Sequence, residues 1–109
     1  MAYDERLAER MTAALLPEPG ITQRKMFGGL AFMHRGNMAC GIVGDRLMLR
    51  LSPDAHEAAL TQPHVSPMDF TGRPMRGMVY VEPPGIVADA DLARWLQLAL
   101  AFTSSLPPK

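Results

Sequence analysis

Arg73 and Arg76 stand three residues apart in the stretch PMDFTGRPMRG, residues 67–77, and Asp69 precedes them. Two guanidinium groups at this spacing can receive an anion, with a carboxylate orienting one of them. Lys25 is the remaining cation of this candidate site for an anion or a partner. No general base or nucleophile stands beside these residues, so the chemistry on offer is binding, not bond breaking. The same stretch also makes a complete turn. Asp69 can accept from the Thr71 N–H, Gly72 suits a left-handed position, and Pro74 fixes the exit. Met68, Phe70 and Met75 can anchor it in a core. Turn and binding site both remain open readings of these residues.

The other reactive residue types carry less. Cys40 is the single cysteine. A nucleophilic cysteine needs a base or cation to form its thiolate, and neither His34, His56 nor His64 has a spacing that predicts contact with it. A small buried hydrophobe is the expected role. Met38 and Cys40, two apart, would share one face of a strand, and soft ligands of that kind suit copper(I). No second cysteine or methionine series supports such a site. The histidines form no pair at metal-ligand spacing, so neither a metal nor a cofactor is expected. Gly28-Gly29 lacks the strand-to-helix context of a phosphate loop, and a bulge or a close backbone approach explains it better. Asp89 and Asp91 point to different sides of a helix start, Asp89 as its cap.

These residues need elements to hold them. With 109 residues, 48% of them hydrophobic, the chain suits one domain with one core. A lone cysteine excludes an internal disulfide. The charged start, MAYDERLAER, has no apolar leader, and no apolar run nears the roughly 20 residues that span a bilayer. A cytoplasmic protein is expected. Eleven basic and eleven acidic residues cancel, which argues against a large nucleic-acid footprint and against direct sequence-specific DNA binding. Arg24, Lys25, Arg35, Arg46 and Arg50 face only Asp45 between residues 24 and 50, so outward strand positions or a local basic face are expected there.

Helical spacing predicts a helix over Tyr3 to Leu16, with Leu7, Met11, Ala14 and Leu15 inward. Pro17 and Pro19-Gly20 stop it. Three antiparallel strands follow: Met26 to Met33, Met38 to Val43 and Arg46 to Leu51. HRGN and Gly44-Asp45 form the turns, with Gly36 and Asn37 taking positive φ. Leu47, Leu49 and Leu51 alternate with Arg46, Met48 and Arg50, which predicts one buried and one largely wet face. Ser52, Pro53 and Asp54 open a short helix to Leu60. Val65 to Phe70 and Met78 to Glu82 read as strands. A final helix runs from Asp89 to Ser104, with Leu92, Trp95, Leu96, Ala99 and Phe102 inward and Trp95 mostly buried. The tail SSLPPK is expected to fray. Strand runs separated by helices predict an α+β domain, α-β(3)-α-β(2)-α, with a mostly antiparallel sheet and its first and last helices on one face.

Three stretches, RKMFGGLAFM, GNMACGIVGDRLMLRL and PMDFTGRPMRGMVYV, resemble in order the N-terminal domain of the TfoX/Sxy family, over about Thr22 through Phe102. The resemblance implies a secretion-chaperone-like α+β fold. It also implies a role in regulating transcription of competence genes beside a cyclic-AMP receptor protein, with no catalytic residues. Longer members add a C-terminal helical domain, and a single-domain member is expected here. A non-enzymatic regulatory or accessory domain working through a protein partner, such as a transcription regulator, is therefore expected. The alternative is a small-molecule or anion-binding domain, or a small enzyme, using the Asp69–Arg76 loop. A homodimer, or a partner covering a strand edge in MVYV or KMFGGLAFM, is also expected.

Overall fold

The computed structural model describes residues 3–15, 17–26, 28–70 and 73–108, with backbone only at 26, 69, 70 and 73–76. The first helix, α1 (Glu5–Leu15), opens on Asp4, whose Oδ1 accepts from the N–H groups of Arg6 at 2.9 Å and Leu7 at 3.1 Å. This caps donors that no helical carbonyl can reach. Leu7, Met11 and Leu15 form its buried stripe, while Ala14, expected inward, is exposed.

Four strands follow where three were expected: β1 (Ile21–Met26), β2 (Gly29–His34), β3 (Asn37–Val43) and β4 (Arg46–Arg50). The expected strand from Met26 to Met33 is divided, because the chain reverses beside Gly28, at φ +72°, and Met26 pairs with Gly29. After α2 (Pro53–Leu60) come β5 (Val65–Phe70), β6 (Arg73–Val81), a 3-10 turn at Pro83–Ile86, and α3 (Asp89–Thr103). The strands form one six-stranded sheet in the order β1-β2-β3-β4-β6-β5, with every pairing antiparallel. The architecture is thus α+β, in the order α-β4-α-β2-α. The sheet edges are β1 and β5. MVYV lies inside the sheet between β4 and β5, so it is no free edge; of KMFGGLAFM, Gly29–Met33 lie inside the sheet on β2, while Lys25 and Met26 belong to edge strand β1.

The turns follow from backbone sterics. Arg35 (φ +53°) and Gly36 (φ +85°) make the two-residue reversal between β2 and β3. Two positive-φ residues match the twist of the flanking strands. Asn37, expected in the turn, is already in β3 and pairs with His34. Its Nδ2 donates to Pro107 O at 2.9 Å, which tethers the tail that was expected to fray.

One sheet face carries the main core. Leu30, Phe32, Cys40, Ile42, Leu47, Leu49, Val79 and Val81 meet Leu7, Met11 and Leu15 of α1, Ala59 of α2, and Leu92, Trp95, Leu96 and Ala99 of α3. Arg10 fastens α1 to the start of α3: Nε donates to Asp89 Oδ1 at 3.0 Å and Nη2 to Ile86 O at 2.7 Å. Asp89 is therefore the first residue of α3 and an ion-pair partner. The cap position is Ala88, which has no side chain to donate or accept.

The opposite face is drier than expected. Met48, Met68, Met78 and Tyr80 form a second buried cluster, with Met38 and Val43 against it. The Arg46 guanidinium lies 3.8 Å from the centroid of the Tyr80 ring, so a cation roofs the aromatic face while its stem covers apolar surface.

Candidate functional site

PMDFTGRPMRG is a β-hairpin. Phe70 pairs with Arg73 and Asp69 with Pro74, so only Thr71 and Gly72 lie between the strands. The expected Asx-turn onto Thr71 and the left-handed Gly72 fall outside the described residues, as do the side chains of Asp69, Arg73 and Arg76. The backbone places Asp69 on edge strand β5 and both arginines on β6. Lys25 is exposed on the other edge strand, with β2, β3 and β4 between it and β6.

Cys40 sits on β3 between β2 and β4 with no exposed surface. Burial pushes its thiol up to about 12, because a thiolate there would lose its hydration. The copper(I) pairing of Met38 with Cys40 fails for a geometric reason. Phe32 pairs with Cys40 but Met33 pairs with Met38, so the ladder shifts around Ala39 and breaks the period of two. Cys40 joins the helix-side core and Met38 packs on the opposite cluster. Among the described residues, no three His, Cys, Asp or Glu side chains gather as a metal site.

Cys40 is expected to stay unlabelled by an aromatic disulfide reagent under native conditions and to react fully in denaturant. Fast native labelling would contradict its burial. Its raised pKa also makes stability depend on pH. The unfolded thiol ionises near its ordinary 9.0 and the folded one near 12. The contribution is complete below about pH 9 and is lost as pH rises toward 12, at about 1.4 kcal/mol per pH unit. The advantage of the wild type over Cys40→Ala in urea denaturation should therefore shrink between pH 9 and 11. A constant difference would show that the thiol is not desolvated.

The histidines are dispersed over β2, α2 and the loop before β5. His34 is fully buried, with Nδ1 2.8 Å from Thr103 Oγ1 and Nε2 3.2 Å from Glu18 Oε1. The second contact is within ion-pair reach but is not aligned as a hydrogen bond. The order Thr–His–Glu has the composition of a hydrolytic triad, yet Thr103 has no exposed surface. Its hydroxyl also reaches Ala99 O at 3.2 Å and Leu100 O at 3.3 Å. These contacts pin the end of α3 to β2 and give a substrate no route to the hydroxyl.

Gly28-Gly29 divides into two roles. Gly28 supplies the positive φ of a reversal. Gly29 lies so close to β3 that an added Cβ would fall on the Ile42 carbonyl oxygen. This is the close backbone approach expected from the sequence.

The structure also assembles a cleft that the sequence did not indicate. It holds about 620 Å³ between the end of β4, α2, the middle of β6 and the end of α3. Arg50, His56 and Phe102 are half-buried in its wall, Asp54 and Glu57 are exposed at its rim, and Gly77 closes one side. Gly77 holds φ +78° and its carbonyl accepts from Leu51 N at 2.8 Å, so the end of the PMDFTGRPMRG stretch fixes the cleft wall. Six of the eight lining residues lie within residues 50–57, and only Gly77 of β6 and Phe102 of α3 come from elsewhere, yet the cleft exists only once those two have docked.

An antiparallel sheet covered by helices on its core face, with the Cys40 thiol and the Thr103 hydroxyl buried inside, defines a small α+β domain. The chain belongs to the TfoX N-terminal domain family, whose model matches residues 13–103. No curated protein and no solved structure matches it significantly.

Proposed function

We propose that this chain is a non-enzymatic accessory or regulatory domain that works through protein contacts, in transcription or competence control in the cytoplasm. The observation that carries the reading is the family match over residues 13–103. The buried, protonated Cys40 agrees with it, since it leaves the one thiol unfit as a nucleophile. No described helix is long and apolar enough to cross a membrane.

The contact is proposed at a sheet edge, made by a partner protein or a second copy. Thr22, Gln23, Arg24 and Lys25 are all exposed along β1, and an edge strand offers unpaired backbone groups to another chain. The large apolar side chains exposed among the described residues are Leu60, Val87 and Leu98. They sit on different elements, which favours backbone pairing over an apolar patch.

The test is a mobility-shift assay on a competence promoter with purified cyclic-AMP receptor protein. Adding the chain should retard or stabilise the receptor–DNA complex, and the chain alone should leave the DNA unshifted. A shift by the chain alone, or no effect on the receptor complex and on competence transcripts after deletion, would overturn the reading. Light scattering across a wide concentration range separates the second copy from a distinct partner.

A further inference from the structure

We propose that the cleft between α2 and the end of β4 binds a small zwitterion of the α-amino acid class, its carboxylate on Arg50 and its ammonium toward Asp54 and Glu57. The inference does not rest on the protein-contact reading above.

Arg50 carries it. The residue is half-buried, and its side-chain hydrogen bond is a long one, Nη1 to Met38 O at 3.5 Å. The Phe102 ring lies 5.5 Å away and flanks the guanidinium with an aromatic face. Asp54 and Glu57 line the same cleft. Yet among the described residues no carboxylate lies within ion-pair distance of Arg50, the pairs being Arg10–Asp89, His34–Glu18 and Arg46–Glu82. Opposite charges are held apart across one small cavity, with the cation in the wall and the acids at the rim. A simple anion would meet the rim carboxylates and a simple cation would meet Arg50. A ligand bearing both charges, carboxylate inward, satisfies the two ends together.

His56 also lines the cleft, but its Nε2 is buried and without a hydrogen-bond partner, out of reach of a ligand in the cleft. Leu51, Pro53 and Phe102 supply apolar surface for a side chain. In the cleft of about 540 Å³ near the start of α1, Arg10 is already bonded to Asp89, Ile86 and Val87, and the other arginine, Arg6, is exposed and not set in a wall as Arg50 is.

The test is an amide-shift titration of the 15N-labelled full chain with the common L-amino acids, first pooled and then singly. Acetate and methylammonium serve as single-charge controls. At least one amino acid should give saturating shifts at Leu51, Glu57 and Gly77, with a Kd about tenfold or more below either control. Arg50→Met should raise that Kd by about tenfold or more, as loss of a charge-assisted contact does. If Arg50→Met fails to fold, Glu57→Gln at the exposed rim decides, with a weaker amino acid and an unchanged acetate expected. No saturating amino acid, acetate binding as tightly as the amino acid, or an amino acid Kd unmoved by Glu57→Gln overturns the proposal.

Discussion

Trp95→Ala is expected to remove about 3–5 kcal/mol of folding stability, as loss of a buried aromatic does. A domain of this size holds roughly 5–15 kcal/mol in total, so the variant should melt far below the wild type or be partly unfolded at 37 °C. Trp95 is 2% exposed and belongs to the cluster that joins α3 to the sheet and α1. The void cannot close easily, because three elements converge on it. Val87, 77% exposed on the turn before α3, is the control. Val87→Ala should stay within about 0.5 kcal/mol of the wild type. Urea denaturation followed by far-ultraviolet circular dichroism measures both, and a wild-type-like midpoint for Trp95→Ala would remove that residue from the core.

Gly29→Ala is expected to be nearly as damaging as Trp95→Ala, although it adds only one methyl group. The added carbon would land on the Ile42 carbonyl oxygen and press on Val43 Cα, both backbone atoms of the neighbouring strand. Backbone in a central ladder cannot rotate away as a side chain can, so β2 and β3 must separate. The cost is about 3 kcal/mol, the upper part of the range for overpacking. Gly28→Ala next door meets nothing within 4 Å. Its cost is the left-handed backbone alone, about 1–2 kcal/mol. The order of the two variants is the diagnostic result. If Gly28→Ala proved the more destabilising, the close approach of β2 to β3 would be wrong.

Where burial followed a period, the sequence disclosed the element. The second helix shows its start in Ser52-Pro53-Asp54 and occupies Pro53–Leu60 as read, with Ser52 Oγ accepting from Ala55 N at 3.3 Å. The last helix likewise follows its stripe. Strand β1 was missed because it has no alternation to detect: Thr22, Gln23, Arg24 and Lys25 are all exposed, as an edge strand without a buried face permits. The wet face expected opposite Leu47 and Leu49 was wrong at Met48, because that methionine packs with Met68, Met78 and Tyr80 from strands distant in sequence. The Met38–Cys40 pairing was lost to one bulge, which reverses every face assignment beyond it. In PMDFTGRPMRG the sequence showed a turn between two strands but not how tight it is, since β6 begins at Arg73 and not at Met78. The sequence did not join Arg50 and His56 to Gly77 and Phe102, since their cleft exists only after β6 and α3 have docked.

The strand order has a consequence for how the chain is made. From β1 to β4 each strand pairs with the one just before it, so these four close through short loops and can assemble early. The join of β4 to β6 must wait for α2 and β5, and α3 is the last element to leave the ribosome. Until then the helix-facing side of the sheet, with Phe32, Ile42, Leu47 and Leu49, has α1 and little else to cover it. Until α3 emerges the sheet is only half roofed, the kind of nascent surface that chaperones bind.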